Sequence, residues 1–200
     1  MSTSFTAPDP AFEPRVRESF ARQLYMATLG ARLARVAAGE VDIELPVVPA
    51  LTQQHGSVHA GAVTSVLDSA AGYAALSLMP ADAGVVSVEF KVNLLEPARG
   101  ERIVAEGRVL RAGRTLFTCT AEAWAVDGAR RTRVAILQGT MMCLVGRGVS
   151  AKAILSGAAK AIGGGAGGKD DLATGGGNRP DGIAEALRLA ADAAREALGA

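Results

Sequence analysis

The stretch Gln53–Tyr73, QQHGSVHAGAVTSVLDSAAGY, holds the only two histidines of the chain, His55 and His59, and one carboxylate, Asp68, inside a run of small apolar residues. If His59 to Leu76 form a helix, Asp68 stands about two turns in, on a segment that is apolar on almost every side. Asp is a poor helix former, and an unpaired buried carboxylate is costly. A solvated Asp on a helix face is the ordinary outcome, but this run offers little polar surface for one. A carboxylate so placed can act as a general base or as a nucleophile. The first amides of such a helix, those of Ala60 and Gly61, point at a site for developing negative charge. His59-Ala60-Gly61 equally suits a plain, tight helix start, and His59 itself either reaches the reacting group or fixes that start. Ser57 or Ser65 with His59 and Asp68 would suggest a serine triad. No strained Gly-x-Ser-x-Gly turn is present, so a serine hydrolase is rejected.

These residues need elements to hold them. Phe12, Val16, Phe20 and Leu24 recur every four positions with charged residues between them, which predicts an amphipathic helix over Glu13–Leu29 stopped by Gly30. Val41, Ile43 and Leu45 alternate with Asp42 and Glu44 as a strand that ends at Pro46. After the central helix, Val86, Val88, Phe90, Val92 and Leu94 alternate strictly with Ser87, Glu89, Lys91 and Asn93, the pattern of a half-buried strand. Three further strands follow, Arg102–Arg111, Thr115–Val126 and Thr132–Leu144, with turns at Ala112-Gly113 and Asp127-Gly128. Successive hairpins imply an antiparallel sheet, whose apolar face one long helix must cover. The fold class is therefore α+β.

Beyond Val145 lie more than half of the 24 glycines. Residues 146–180 read as a Gly-rich linker. Residues 181–200 read as a C-terminal helix, capped by Asp181, with a weak Ala-rich stripe through Ile183, Leu187, Ala190, Ala194 and Leu198. Residues 1–11 read as a flexible arm, and 12–145 as the domain proper.

Hydrophobic residues make up 49% and charged residues 20%, with a net charge of +1. This is a globular balance without the basic footprint of a nucleic-acid binder. No apolar run is long enough for a membrane span, and the first residues lack the order of a secretory signal. Cys119 and Cys143 make no metal spacing and read as reduced, buried thiols. The expected compartment is the cytoplasm, with no nucleic-acid or membrane partner.

In order and spacing these residues resemble the hotdog-fold acyl-CoA thioesterases of the phenylacetate-degradation (PaaI-like) type. The family signature is an Asn or Gln, a Gly three residues on, a His three further, a Gly pair, and an acid nine after the His. Here those positions hold Gln53, Gly56, His59, Ala60-Gly61 and Asp68. Ser87 to Ala98, SVEFKVNLLEPA, matches the family's alternating strand and its Pro-Ala end, and Gly113-Arg114-Thr115 matches its hairpin. The likeness spans roughly Leu24 to Leu144. The chief departure is Ala60 in place of Gly; Gln53 in place of Asn is a variant seen in the same superfamily. Ala60 serves as well as Gly if only its backbone N–H is used.

The resemblance implies an antiparallel sheet wrapped around the central helix and hydrolysis of an acyl-CoA thioester, with no cofactor or metal. It implies that Asp68 acts from the other subunit of a homodimer or homotetramer. The amides of Ala60 and Gly61 would form the oxyanion hole, with Gln53 orienting water or thioester and Ser87 and His59 nearby. Gly56 and Arg114 would meet the substrate. The basic residues Arg111, Arg114, Arg130, Arg131 and Arg133 stand at strand ends, where they either grip CoA phosphates or are simply solvated. The small residues Ala70, Ala71, Gly72, Ala74 and Ala75 leave room beside the helix for an aryl or medium-chain acyl group. The rival readings are a hotdog enoyl-CoA hydratase, which pairs His and acid at other spacings, and a non-catalytic acyl-CoA-binding module.

Overall fold

A computed structural model describes residues 5–145, 150–168 and 172–198. Residues 1–4 of the expected arm, and 146–149 and 169–171 of the expected linker, lie outside the described residues, as do 199–200. The chain divides into two compact units, Met1–Leu144 and Val145–Ala200.

The first unit opens with α1 (Phe12–Ala21) and α2 (Leu24–Leu29) in place of the single helix expected over 13–29. The reason is geometric. A four-residue spacing drifts about 40° per step around a 3.6-residue helix, so a continuous helix would carry its apolar stripe away from the core. The chain breaks at Gln23, which is extended (φ −78°, ψ 95°), and re-aims. Val16 and Phe20 are buried before the break and Met26 and Leu29 after it, while Leu24 is left exposed. The described part of the arm is tied down. Asp9 pairs with Arg15 at 3.0 Å, and Phe5 packs against the core.

Arg15 also donates to the carbonyls of Leu76 (3.0 Å), Met79 (2.8 Å) and Pro80 (2.7 Å). It thereby satisfies orphan acceptors at the end of α3 (Ala60–Leu76).

Among the described residues of this unit six strands form one antiparallel sheet: β1 (Arg32–Ala37), β2 (Glu40–Pro46), β3 (Gly84–Leu94), β4 (Arg102–Ala112), β5 (Leu116–Asp127) and β6 (Arg130–Leu144). Their order is β1-β2-β4-β5-β6-β3. The sheet curls over α3, which touches β2, β3, β4, β5 and β6. This is the hotdog arrangement. Val63, Val66, Leu67, Ala70, Ala71 and Ala74 of α3 are buried among Ile43, Leu45, Ile103, Leu137 and Met141 from the strands. Each large side chain buried there contributes about 1.5–3 kcal/mol. A Cβ on Gly107 would lie 2.2 Å from the Ala70 carbonyl oxygen, so glycine at this point lets helix and sheet approach.

The expected half-buried strand is β3, but it is the outer strand of the sheet and its large residues are mostly exposed, Val88 at 54% and Leu94 at 59%. One ladder of its backbone has no neighbour in the sheet. The strict alternation is also interrupted. The register slips between Ser87 and Glu89, leaving Val88 as an extra residue. Val85 and Ser87 then share the inner face with Phe90, Val92 and Leu94, opposite buried Cys143, Met141, Gly139, Leu137 and Ala135.

The second unit replaces the expected linker with structure. Ser150 caps α4 (Ala151–Ala161), its hydroxyl accepting from the Ala153 amide at 3.2 Å. Gly165–Gly168 (β7) and Ala173–Gly176 (β8) pair as a small hairpin against α4. The final helix is α5 (Ile183–Leu198). Ala158 and Ala159 of α4 and Ala186 of α5 are buried where these helices pack. The glycine content pointed to flexibility, but a cap and an alanine contact suffice to order a helix between the glycine clusters. No helix among the described residues is long and apolar enough to cross a membrane.

Candidate active site

The start of α3 is set by His59. Its backbone is extended (ψ 135°), and its ring Nδ1 accepts the Gly61 amide at 2.9 Å. This bond leaves Nδ1 without a proton and makes His59 the helix cap. It also occupies one of the two amides expected to hold an oxyanion. The Ala60 N–H has no partner among the described residues. It is the amide free to meet a ligand.

Gln53 stands on a tight turn ahead of this helix. Its N–H donates to the Ser57 carbonyl at 2.8 Å, and its carbonyl accepts from Gly56 at 2.9 Å. Gly56 has φ +79°, which a side chain would resist. The Gln53 side-chain oxygen accepts the His55 amide, so its NH2 group is the end left to donate outward. Gln53, Ala60, Val63 and Leu95 line a cavity of about 430 Å³.

Asp68 is half-buried on α3. The Ser87 hydroxyl donates to its Oδ1 at 2.6 Å and lies 3.3 Å from the Met141 sulfur. The bulge in β3 makes this contact possible, because unbroken alternation would turn Ser87 to the outer face. Asp68, Gly72, Tyr73, Ser87, Ser19 and Arg22 line a second cavity of about 610 Å³. Tyr73 packs edge-on against Phe20 with ring centroids 5.7 Å apart, and its hydroxyl meets Ser19 at 3.4 Å. Burial pushes the Tyr73 hydroxyl above its ordinary value, partly offset by the Ser19 contact, so the cavity wall presents a neutral phenol. Of the small residues expected to leave room, Ala70, Ala71, Ala74 and Ala75 are packed in the core. Gly72 opens onto space instead, and a Cβ there would meet nothing within 4 Å.

Ala60 and Asp68 are eight residues apart, about 12 Å along the helix, and the two cavities share no lining residue. One chain therefore holds the expected site residues as two separate groups: Gln53, Gly56, His59, Ala60 and Gly61 at the helix start, and Asp68 with Ser87 further along. A serine triad is absent from the geometry. The Ser65 hydroxyl donates to the Gly61 carbonyl at 2.7 Å, and buried Ser57 accepts from Arg99 at 3.0 Å. Neither has His59 as a partner.

The basic residues split as well. Arg111 and Arg114 stand at the β4–β5 turn, and Arg130, Arg131 and Arg133 at the β5–β6 turn. By their places along β5 the two groups stand about 20 Å or more apart. Arg131 pairs with Glu106 at 2.6 Å and Arg133 with Glu122 at 2.8 Å, and both guanidinium groups lie over the Trp124 ring. Those two hold the sheet surface rather than reaching for a ligand. Cys119 and Cys143 are free and buried, and burial pushes the Cys119 thiol up to about 12.

The fold is that of the hotdog proteins, and the known proteins it resembles give the class: a thioester hydrolase. The family profile of the thioesterase superfamily matches residues 55–132. A crystal structure of a thioesterase family protein from Silicibacter pomeroyi is 50% identical, covers 68% of this chain and 99% of its own, and superposes with a TM-score of 0.66. A candidate esterase from Saccharolobus solfataricus is 32% identical over 50% of this chain and 71% of its own length. The Escherichia coli PaaI protein of the phenylacetic acid degradation operon, 19% identical, shares the fold, with 66% of this chain and 93% of its own covered at a TM-score of 0.60. The chain belongs to the thioesterase superfamily.

Proposed function

We propose that the protein hydrolyses an aryl- or medium-chain acyl-CoA to the free acid and CoA, at a site built by two copies of the chain. The observation that carries this reading is the division of the site residues between two cavities. A second copy supplies what each half lacks. The unpaired edge and exposed apolar residues of β3 lie beside Asp68 and Ser87, and an open edge of this kind favours pairing with another chain. A homodimer, or a tetramer made of two, follows.

In this reading the thioester oxygen rests on the Ala60 N–H and the Gln53 NH2 of one subunit. One preorganised donor lowers the barrier by about 3 kcal/mol. Asp68 of the partner subunit takes a proton from water as the water oxygen bonds to the carbonyl carbon. Ser87 holds Oδ1 and leaves Oδ2 to receive that proton. The tetrahedral intermediate collapses, the C–S bond breaks, and the CoA thiolate takes the proton from Asp68. Direct attack by Asp68 is the alternative chemistry: the carboxylate displaces the CoA thiolate to form a mixed anhydride, which water then hydrolyses, and in 18O-water under single turnover label enters Asp68 when water opens that anhydride at the Asp68 carbonyl. The cavity beside Asp68, at about 610 Å³, lies within the usual size range of small-molecule pockets and suits the acyl group.

The test is thiol release from acetyl-, hexanoyl-, octanoyl-, benzoyl-, phenylacetyl- and palmitoyl-CoA. The expected result is a kcat/KM for the aryl or medium-chain substrates at least about tenfold above acetyl- and palmitoyl-CoA, the scale on which a hydrophobic pocket discriminates. No turnover on any member would defeat the reading.

A further inference from the structure

Arg99 directly follows the stretch Ser87–Ala98 and lies in a loop, yet its side chain reaches back over more than forty positions to the turn that carries Gln53. Its Nε donates to the Ser57 hydroxyl at 3.0 Å and its Nη2 to the His55 carbonyl at 3.1 Å. Ser57 is 5% exposed, so its hydroxyl depends on this partner. Arg99 takes part in none of the ion pairs among the described residues. The next-door backbone adds a tether, the Val58 amide donating to the Ala98 carbonyl at 2.9 Å. Arg99 thus grips the turn at its tip and at its exit. His55, held at its carbonyl by Arg99, gives its own amide proton to the Gln53 side-chain oxygen.

We propose that Arg99 is a positioning residue that acts through this turn to aim the Gln53 NH2 group at the thioester oxygen; the inference rests on the proposed thioesterase site. A guanidinium is suited to the task because its planar fork meets two acceptors at fixed geometry, whereas a lysine ammonium is a single point charge on a flexible stem. The Gln53 turn contains Gly56 at φ +79°, and glycine widens the range of conformations a free turn explores. Without the clamp, the productive orientation of Gln53 becomes one of several.

The experiment is a double-mutant cycle with a structural readout beside it. Arg99→Ala, Arg99→Lys, Gln53→Ala and Arg99→Ala/Gln53→Ala are assayed on the best acyl-CoA of the panel, and amide exchange is followed over residues 52–59 in the resting protein. Arg99→Ala is expected to lower kcat by about tenfold with KM within about threefold, the pattern of lost orientation. In the Gln53→Ala background the same change should cost less than about twofold, because coupled residues are not additive. Exchange over 52–59 should rise by about fivefold or more as the turn opens locally, and Arg99→Lys should recover part of both losses.

An unchanged penalty in the Gln53→Ala background overturns the inference, and so does a rise in KM at constant kcat, which would make Arg99 a substrate-gripping cation. Unchanged exchange over 52–59 overturns it as well, without reference to turnover. A parent protein that hydrolyses no acyl-CoA removes the proposed function, and the role of Arg99 falls with it. That outcome is distinct from an active parent whose cycle is additive.

Discussion

Asp68 meets the Ser87 hydroxyl at 2.6 Å on the wall of an open cavity, and this pair is where the chemistry of the account concentrates. Asp68→Asn keeps the size of the side chain and an oxygen to accept from Ser87, but removes the basic group. We expect kcat to fall by about 100-fold or more, the scale of losing a general base, with KM little changed and the melting temperature held. Steady-state kinetics and a thermal melt check both. Ala60→Pro tests the other half. Proline is well tolerated at the first position of a helix and favours the extended residue before it, which His59 already is. It deletes only the free N–H, and kcat should fall by about 100-fold or more with the fold intact, the scale of one oxyanion donor. At this scale Asp68 stood out in the sequence because an acid inside an apolar helix breaks a local rule, and Ala60 because it opens that helix, whereas Gln53 was singled out only through the family resemblance. Arg99 broke no such rule. An arginine in a loop carries no local signal, and its partners lie more than forty positions away. The Gly61 amide was equally out of reach, since its capture by the His59 ring depends on a side-chain angle.

Among the elements, α3 and β3 decide the shape of the site. Gly72 is buried on α3, yet its missing side chain would point into open space. Glycine within a helix costs about 1 kcal/mol relative to alanine, so the position is expensive unless the room is used. Gly72→Leu should lower kcat/KM for the preferred aryl or medium-chain acyl-CoA by about 100-fold, while acetyl-CoA turnover changes by less than about threefold; a uniform loss across the panel would contradict a size filter. The α3 segment, the hairpins β4–β5 and β5–β6, and the antiparallel sheet were legible because period and turn chemistry agree there. The bulge at Val88 was not, since one extra residue leaves an alternating sequence looking unbroken while it swaps the faces. The break at Gln23 was hidden for a related reason. Four-residue repeats look helical, but the slow drift of that stripe shows only when the core is in place. In the tail, glycine content masked α4, whose order comes from a serine cap and from alanines packed on α5.

For the molecule as a whole, every candidate site residue lies in the unit Met1–Leu144, and the unit Val145–Ala200 has its own helix pair. Removing residues 146–200 should leave kcat/KM within about twofold, because no candidate site residue lies in that segment; loss of most activity would show that the second unit supports the first. The central claim is that Ala60 and Asp68 of different subunits share one reaction. Mixed dimers test it most directly. Ala60→Pro and Asp68→Asn proteins, each nearly inactive alone, are unfolded, combined in equal amounts and refolded together. Random pairing makes half of the dimers mixed, and each mixed dimer regains one intact site of two, so activity should recover to about a quarter of the parent value if the isologous interface builds both sites. Recovery to that level is the predicted result. A mixture that stays as inactive as its two components, with mixed dimers demonstrably formed, would contradict the account and confine the reaction to a single chain.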